Sequence, residues 1–306
     1  MGQLPVIAVV GATAAGKSDL AVELALRLGG EVLNTDSMQL YEGMDIGTAK
    51  LTEAERRGVP HHLLDIWPVT RTASAAEYQR LARPLIDDLR SRGRAAILAG
   101  GSGLYVRAAI DDLEFPGTDA GLRARLEKEL DATGPAPLYD RLTALDPVAA
   151  GNILPSNGRR IVRALEVIEL SGRPFSATLP SYDAVYDSVQ IGVEVPRPEL
   201  DRRIELRVDR MWEAGLVGEV RALLERGLAE GRTASRALGY AQVIRFLSGE
   251  WTEERAREET VRATRRFARR QESWFRRDPR VVWLPFDAPG LADRAYALAA
   301  GGAPRP

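Results

Sequence analysis

The sequence predicts an α/β protein built on a doubly wound parallel sheet and interrupted by a helical insertion. Three observations predict it. The octapeptide Gly11-Ala-Thr-Ala-Ala-Gly-Lys-Ser18 stands between an apolar run at 6–10 and a helical pattern at 17–28. Strand and helix patterns then alternate through the first third of the chain. From about Thr118 the strand signal stops and helical patterns follow one another. Alternating strands and helices imply parallel strands, because a right-handed crossover helix returns the chain in the same direction.

The octapeptide fits G-x-x-x-x-G-K-[ST], and strand, glycine loop and helix form the context that a phosphate-binding P-loop needs. The sheet is therefore expected to be P-loop NTPase-like. The glycines let backbone N–H groups curl around phosphate oxygens, and the helix N-terminus adds its positive dipole end. Gly11, Ala12, Thr13, Ala14, Ala15, Gly16, Lys17 and Ser18 are thus candidate phosphate ligands, with the Ser18 hydroxyl placed to ligate Mg²⁺. Read alone, the loop points to ATP, but it does not say whose phosphate binds.

The next elements bring two more segments to the same place. Residues 31–35 read as a second strand ending at Asp36. Residues 74–92 read as a helix with an apolar stripe at Tyr78, Leu81, Leu85 and Leu89. The strand at 95–99 is closed by Gly100-Gly-Ser-Gly103. Ligands of doubly wound sheets sit outside the carboxyl ends of the strands, so the P-loop, Asp36 and Ser102 converge on one crevice.

Helical patterns at 122–131, 138–145 and 159–171 follow, the first two separated by Gly134-Pro-Ala-Pro137. One more strand-like run at 188–195 precedes a mostly helical remainder with a late apolar run at 281–284. The expected division is a core of residues 1–117 and 186–306 with an insertion at 118–185.

Composition narrows the class. The 306 residues are 45% apolar and 28% charged, with a net charge of −1, as in a soluble globular protein. Any basic surface must be local. No cysteine is present, which removes disulfides, thiol nucleophiles and zinc sites of the cysteine type and agrees with a cytoplasmic location. The apolar run at 6–10 is too short for a signal peptide or a membrane span, and Val6 departs from the myristoylation pattern.

Asp36 reads either as a helix N-cap or a solvated loop acid, or as a Mg²⁺ ligand or general base facing the P-loop. In phosphoryl-transferring P-loop enzymes the metal-binding acid usually ends a later strand. Here that strand ends in Gly100-Gly101, which weakens the NTPase and kinase readings and frees Asp36 for another task. Ser102 reads as a donor to phosphate or base, or as part of a tight turn. His61 and His62 would point apart on a strand and suit structural roles better than a shared metal.

The helix at 252–277 carries Arg255, Arg262, Arg265, Arg266, Arg269, Arg270, Arg276 and Arg277 along one side at about 100° per residue. Ala256, Ala263, Phe267, Ala268, Trp274 and Phe275 fall opposite. An ordinary solvated face mixes signs; here Glu258 and Glu259 sit on the arginine side within reach of Arg262, but acids are scarce further along, and the face favours contact with a polyanion. Smaller basic clusters lie at Arg159, Arg160 and Arg163 and at Arg202, Arg203, Arg207 and Arg210.

These residues carry a resemblance. The P-loop, Asp36-Ser-Met-Gln-Leu-Tyr41, Gly43-Met-Asp-Ile-Gly-Thr-Ala-Lys50, Pro60-His-His-Leu-Leu-Asp65, Gly100-Gly-Ser-Gly-Leu-Tyr105, Arg163-Ala-Leu-Glu166 and Leu238-Gly-Tyr240 resemble the tRNA dimethylallyltransferases, also called tRNA isopentenyltransferases. The resemblance implies transfer of a dimethylallyl group from its pyrophosphate to the exocyclic amine of the adenine just 3′ of the anticodon. It implies that the P-loop holds the leaving pyrophosphate with Mg²⁺, that Asp36 takes the amine proton, and that Lys17, Ser102 and Arg207 complete the catalytic set. Ser102 stands where family members often have Thr. Asp36, Ser37, Met38, Gln39 and Ser102 would meet a flipped-out base, with Gln39 reading its edge. Arg123 and the 159–163 segment (Arg159, Arg160, Arg163) resemble positions that touch tRNA, so the insertion would grip the anticodon stem-loop, together with Arg262, Arg266 and Arg269 of the arginine helix. A zinc finger of the type some members carry needs cysteines, so this chain matches the bacterial type without one. The expected assembly is a cytoplasmic monomer. Alternatives at this point are a P-loop small-molecule kinase, an isopentenyltransferase for free adenine nucleotides, and a non-enzymatic tRNA-binding protein.

Overall fold

The structure, a computed structural model, describes residues 5–178 and 182–301. Strand β1 (Val6–Gly11) is buried at every position. Its unbroken Val-Ile-Ala-Val-Val run suits a strand covered on both faces, as parallel sheets require. In chain order there follow α1 (Lys17–Leu28), β2 (Glu31–Asn34), α2 (Glu53–Arg56), β3 (His61–His62), α3 (Ala75–Ser91), β4 (Ala96–Ala99) and α4 (Gly103–Ile110). The helices α5 (Ala120–Thr133), α6 (Pro135–Leu145), α7 (Pro147–Gly151) and α8 (Gly158–Ser171) come next. The chain then forms β5 (Ser188–Glu194), α9 (Arg197–Glu213), α10 (Leu216–Glu225), α11 (Tyr240–Leu247), α12 (Glu253–Phe275), β6 (Val281–Pro285) and α13 (Leu291–Ala299).

Two units result, one from residues up to Asp111 and from Ala184 on, the other Asp112–Asp183. The first holds a six-stranded, all-parallel sheet in the order β3-β2-β4-β1-β5-β6. Its core gathers Ile7, Val9, Leu24, Ile97, Ile191 and Ile204 from the sheet, α1 and α9. No helix among the described residues is long and apolar enough to cross a membrane.

The buried stripe of α3 is Tyr78, Ala82, Ile86 and Leu89, so Leu81 and Leu85 are not the core positions that the pattern suggests. Tyr78 sets the rotation. Its hydroxyl donates to the Asn34 carbonyl at 2.9 Å, and its ring lies 4.8 Å from that of Tyr105. That tether turns Leu81 outward, to 37% exposure.

In the second unit, Leu126, Leu138, Leu142, Ile161 and Leu165 form a separate core. Gly134, at φ 75°, ends α5, and Pro135 opens α6 with its φ already helical. Glu166 is fully buried, and it is paired with Arg123 and, at 2.8 Å, with Arg163. Burial pulls its carboxyl upward, but the bonds from Arg123 and Arg163 outweigh that and hold it below the ordinary value. Removing one partner of such a group strands buried charge. Discounted for the part-exposed arginines, Glu166→Ala costs about 2 kcal/mol by chemical denaturation. Because the folded pKa is depressed, the carboxylate's contribution is complete above its unfolded value. It is lost as pH falls through the folded one.

Candidate active site

Register brings the site together. Val9 of β1 and Asn34 of β2 both sit opposite Ala99, the last residue of β4, so β2 and β4 end level and β1 runs on to Gly11 at the start of the P-loop. The P-loop, the turn at Asp36 and the turn at Gly100–Ser102 leave from that common edge. Within the P-loop, Gly11 adopts φ 140°, and a Cβ there would lie 2.9 Å from the Val193 carbonyl oxygen. Only glycine tolerates both demands.

The Asp36 turn is fixed by Asn34. The Asn34 Oδ1 accepts from the Asp36 amide at 2.8 Å, and its Nδ2 donates to the carbonyls of Asp36 and Leu63. Asp36 Oδ1 accepts from the Met38 amide at 2.9 Å, so the side chain also closes its own turn. The Ser102 Oγ accepts from the Ser37 amide at 3.3 Å, joining this turn to the glycine turn. A Cβ on Gly100 would meet Thr35 Oγ1 at 2.4 Å, so the two segments pass in direct contact.

Two cavities open here. One of about 280 Å³ is lined by Thr13, Asp36, Ser37, Met38, Ser102 and Arg207, among others. Another of about 750 Å³ is lined by the P-loop residues Gly16, Lys17 and Ser18 and by Arg202, Arg203, Arg207 and Arg210 of α9. Arg207 and Met211 belong to both walls. Burial, with Arg207 close by, lowers the Lys17 pKa to about 8 against the opposing pull of Asp36. Burial lowers Arg207 as well, and Asp36 raises it. A guanidinium keeps its charge through such shifts.

Arg207 Nη2 donates to the Thr48 carbonyl at 3.1 Å. That carbonyl is placed by Glu219 of α10, whose carboxylate accepts from the amides of Asp45, Ile46 and Gly47 and from the Tyr240 hydroxyl. The sequence reading missed Glu219, Thr48 and Gln271. Gln271, Thr260 and Thr264 are buried on α12 beside Ala256, Ala263 and Ala268. A polar residue inside the packed stripe of an amphipathic helix was the available signal.

Several expected residues lie elsewhere. The Thr13 amide is not turned to the phosphate side: it donates to Gln271 Oε1 at 2.9 Å, and Thr13 lines the smaller cavity. Gln39 does not reach that cavity; its Nε2 donates to the carbonyls of Thr48 and Ala49 at 3.2 and 3.4 Å. It lines a small hollow with Ser18, Asn34 and His61 instead. Arg123 and Arg163 are held by Glu166, and Arg163 also donates to the carbonyls of Pro116 and Gly117. Arg159 and Arg160 are exposed in the first turn of α8, where cations oppose the helix dipole. On α12, Arg265 pairs with Glu205 of α9, and Arg276 with Glu194 and Glu272, so these two leave the arginine face. Trp274, expected on the packed side, is 42% exposed. Arg262 pairs with Glu259 at 2.5 Å, while Arg266 and Arg269 are exposed. His61 Nδ1 bonds to the Val59 carbonyl and His62 Nε2 to Glu31, each ring with its own structural partner.

A model of the IPP transferase family matches residues 39–278. A tRNA dimethylallyltransferase of Thermobifida fusca is 71% identical over 298 residues, covering 96% of this chain and 93% of its own. One from Streptomyces coelicolor is 73% identical over 289 residues, covering 94% and 92%. Among solved structures, the tRNA isopentenylpyrophosphate transferase of Bacillus halodurans aligns with TM-score 0.73 at 41% identity, covering 98% of this chain and 96% of that one. A eukaryotic dimethylallyltransferase acting on tRNA aligns with TM-score 0.84 at 26% identity, covering 97% and 79%.

The state of Lys17 sets a pH dependence. An anion selects the protonated amine, so affinity for inorganic pyrophosphate is greatest below pH about 8 and falls as pH rises through that value. Calorimetric titration on either side of it reads the loss; constant affinity across the range would place the anion away from Lys17.

Proposed function

The chain belongs to the IPP transferase family, and from that premise we infer that it transfers a dimethylallyl group from dimethylallyl pyrophosphate to an adenine amine of tRNA, next to the anticodon. The observation that carries the site assignment is the pair of cavities meeting at Arg207, one basic and one containing Asp36.

The larger cavity suits the pyrophosphate. Lys17 and Arg207 face it with Arg202, Arg203 and Arg210, and the helix N-terminus of α1 adds its dipole. The Ser18 hydroxyl bonds to no other side chain among the described residues, and no cluster of three or more acids or histidines that could hold a metal is found among them. That donor set fits Mg²⁺, which takes few protein ligands and relies on substrate phosphates and water. When bound, the ion would neutralise charge on the departing pyrophosphate. Ser18 would hold it.

The smaller cavity suits the base. The carbon–oxygen bond to pyrophosphate breaks as the amine nitrogen bonds to that allylic carbon. The amine proton passes to Asp36, and pyrophosphate departs with the electron pair. Ser37 and Ser102 are joined by their own hydrogen bond and present hydroxyls beside Asp36. The exposed Arg159, Arg160, Arg266 and Arg269, with Arg262, offer positive charge to the RNA backbone. Arg123 and Arg163 serve chiefly to build the second unit, through Glu166.

Incubation with dimethylallyl pyrophosphate and an anticodon stem-loop, followed by mass spectrometry of the nucleosides, tests the reading: one adenosine gains a five-carbon unit, and ATP is not consumed. Prenylation of free AMP at an equal rate would favour the nucleotide enzyme instead. Asp36→Asn should lower kcat by about a hundredfold or more while stem-loop affinity stays within about threefold. Neutralising Arg266 and Arg269 together should raise KM for the stem-loop and flatten its dependence on salt, leaving kcat nearly unchanged.

A further inference from the structure

Gln271 of α12 touches two of the loops that build the site and is assigned no role by the transfer chemistry. It is 5% exposed. Its Oε1 accepts from the Thr13 amide at 2.9 Å, and its Nε2 donates to the Gly101 carbonyl at 2.9 Å. The orientation is fixed by the partners, since only the amide oxygen can meet an N–H and only the nitrogen a carbonyl. The fit leaves no slack: a Cβ on Gly101 would lie 2.0 Å from Nε2.

The two loops bridged in this way carry different parts of the reaction. Thr13 belongs to the P-loop, four residues before Lys17, and lines the cavity that holds Asp36. Gly101 precedes Ser102, whose hydroxyl receives the Ser37 amide. β1 and β4 fix where these loops begin, because Val9 pairs with Ala99. Nothing in that pairing fixes how far the loops lean apart beyond the strand ends. The carboxamide spans that gap.

We propose that Gln271 is a positioning residue, which sets the separation between the pyrophosphate loop and the turn bearing Ser102; this rests on the transferase reading of the site. Gln271 itself reaches neither substrate. Its removal lets the leaving group and the amine drift out of line, and displacements on the order of 1 Å cost a reaction about a hundredfold.

The test is kinetic, with wild type, Gln271→Met, Gln271→Ala, Gly101→Ala and the Gln271→Ala/Gly101→Ala double variant. Methionine keeps the side-chain length and loses both hydrogen bonds. Gln271→Met should lower kcat at least about tenfold, with KM for the stem-loop within about threefold and far-ultraviolet circular dichroism unchanged. Gly101→Ala should lower kcat similarly in the wild-type background and add less than about twofold in the Gln271→Ala background, because the clash is gone. Multiplicative losses, or kcat of Gln271→Met within about twofold of an active wild type, overturn the proposal. A wild-type chain that transfers nothing to the stem-loop overturns the function on which it rests.

Discussion

Lys17 and Arg207 stand close together where the two cavities meet, with the Asp36 carboxylate within reach of both. Burial weakens the hold of both Lys17 and Arg207 on a proton, Arg207 adds to the effect at Lys17, and Asp36 opposes it at both. Bringing such charges out of water costs free energy unless opposite charge answers them. The fold supplies part of the answer with backbone oxygens: Lys17 Nζ donates to the Ala12 carbonyl at 2.6 Å, and Arg207 to that of Thr48. Dipoles of neutral peptides do not cancel two full charges. The remaining positive potential favours a compact polyanion, and much of the surrounding structure serves to hold these two side chains in place. Glu219 is one such support, three backbone amides and the Tyr240 hydroxyl converging on it to set the Thr48 carbonyl. Gly47 has to be glycine for Tyr240 to reach that carboxylate, since a Cβ would lie 2.4 Å from its ring.

The parts of the site that could be read from sequence are those that follow from contiguous pattern or from topology. The P-loop is a fixed spacing. Asp36 and Ser102 follow from a rule, that parallel strands end on the same edge, and the register of Val9 and Asn34 against Ala99 is its physical form. Arg207 is different: the local pattern puts it in a basic cluster with Arg202, Arg203 and Arg210, and only the family resemblance gave it a place at the pyrophosphate. Glu219 and Gln271 act on backbone groups 172 or more residues away and at least 170 residues away, respectively. A backbone amide or carbonyl is the same at every position, so such partners leave no trace in composition or periodicity. Gln39 shows the converse. The family resemblance put it at the base pocket, but the turn carries its side chain elsewhere, and the loop carbonyls of Thr48 and Ala49 claim its amide.

The arginines divide in the same way. Helical periodicity puts a residue on a face but does not say what lies opposite that face. Arg265 meets Glu205 because α9 packs beside α12, and Arg123 meets Glu166 because α5 packs on α8, where Arg163 already stands one turn before that carboxylate. Those pairs consume guanidinium groups that the sequence alone offers to RNA. Arg266 and Arg269, and Arg159 and Arg160 at a helix start where positive charge is unfavourable, remain exposed. At Arg159 and Arg160 the charge works against the helix, which supports a role outside the folded chain for that pair.

The separation of the two cavities bears on which bond is made. A phosphoryl-transfer enzyme aligns its acceptor with phosphorus, so the base that activates the acceptor belongs beside the phosphate and the metal. Here the carboxylate lines the smaller cavity and Lys17 the larger, with Arg207 and Met211 between them. On the proposed reading, an acceptor held by Asp36 would meet whatever projects past that partition from the phosphate side. For an allylic pyrophosphate the group that projects is the carbon chain, and Met211 supplies an apolar, adaptable surface at that point. On the same reading, phosphorus would stay behind the guanidinium. The arrangement therefore favours attack at carbon with pyrophosphate as the leaving group. It also accounts for a P-loop whose later strand ends in glycines: Gly100 and Gly101 let that turn lie against Thr35 and Gln271, where an acidic side chain would find no room.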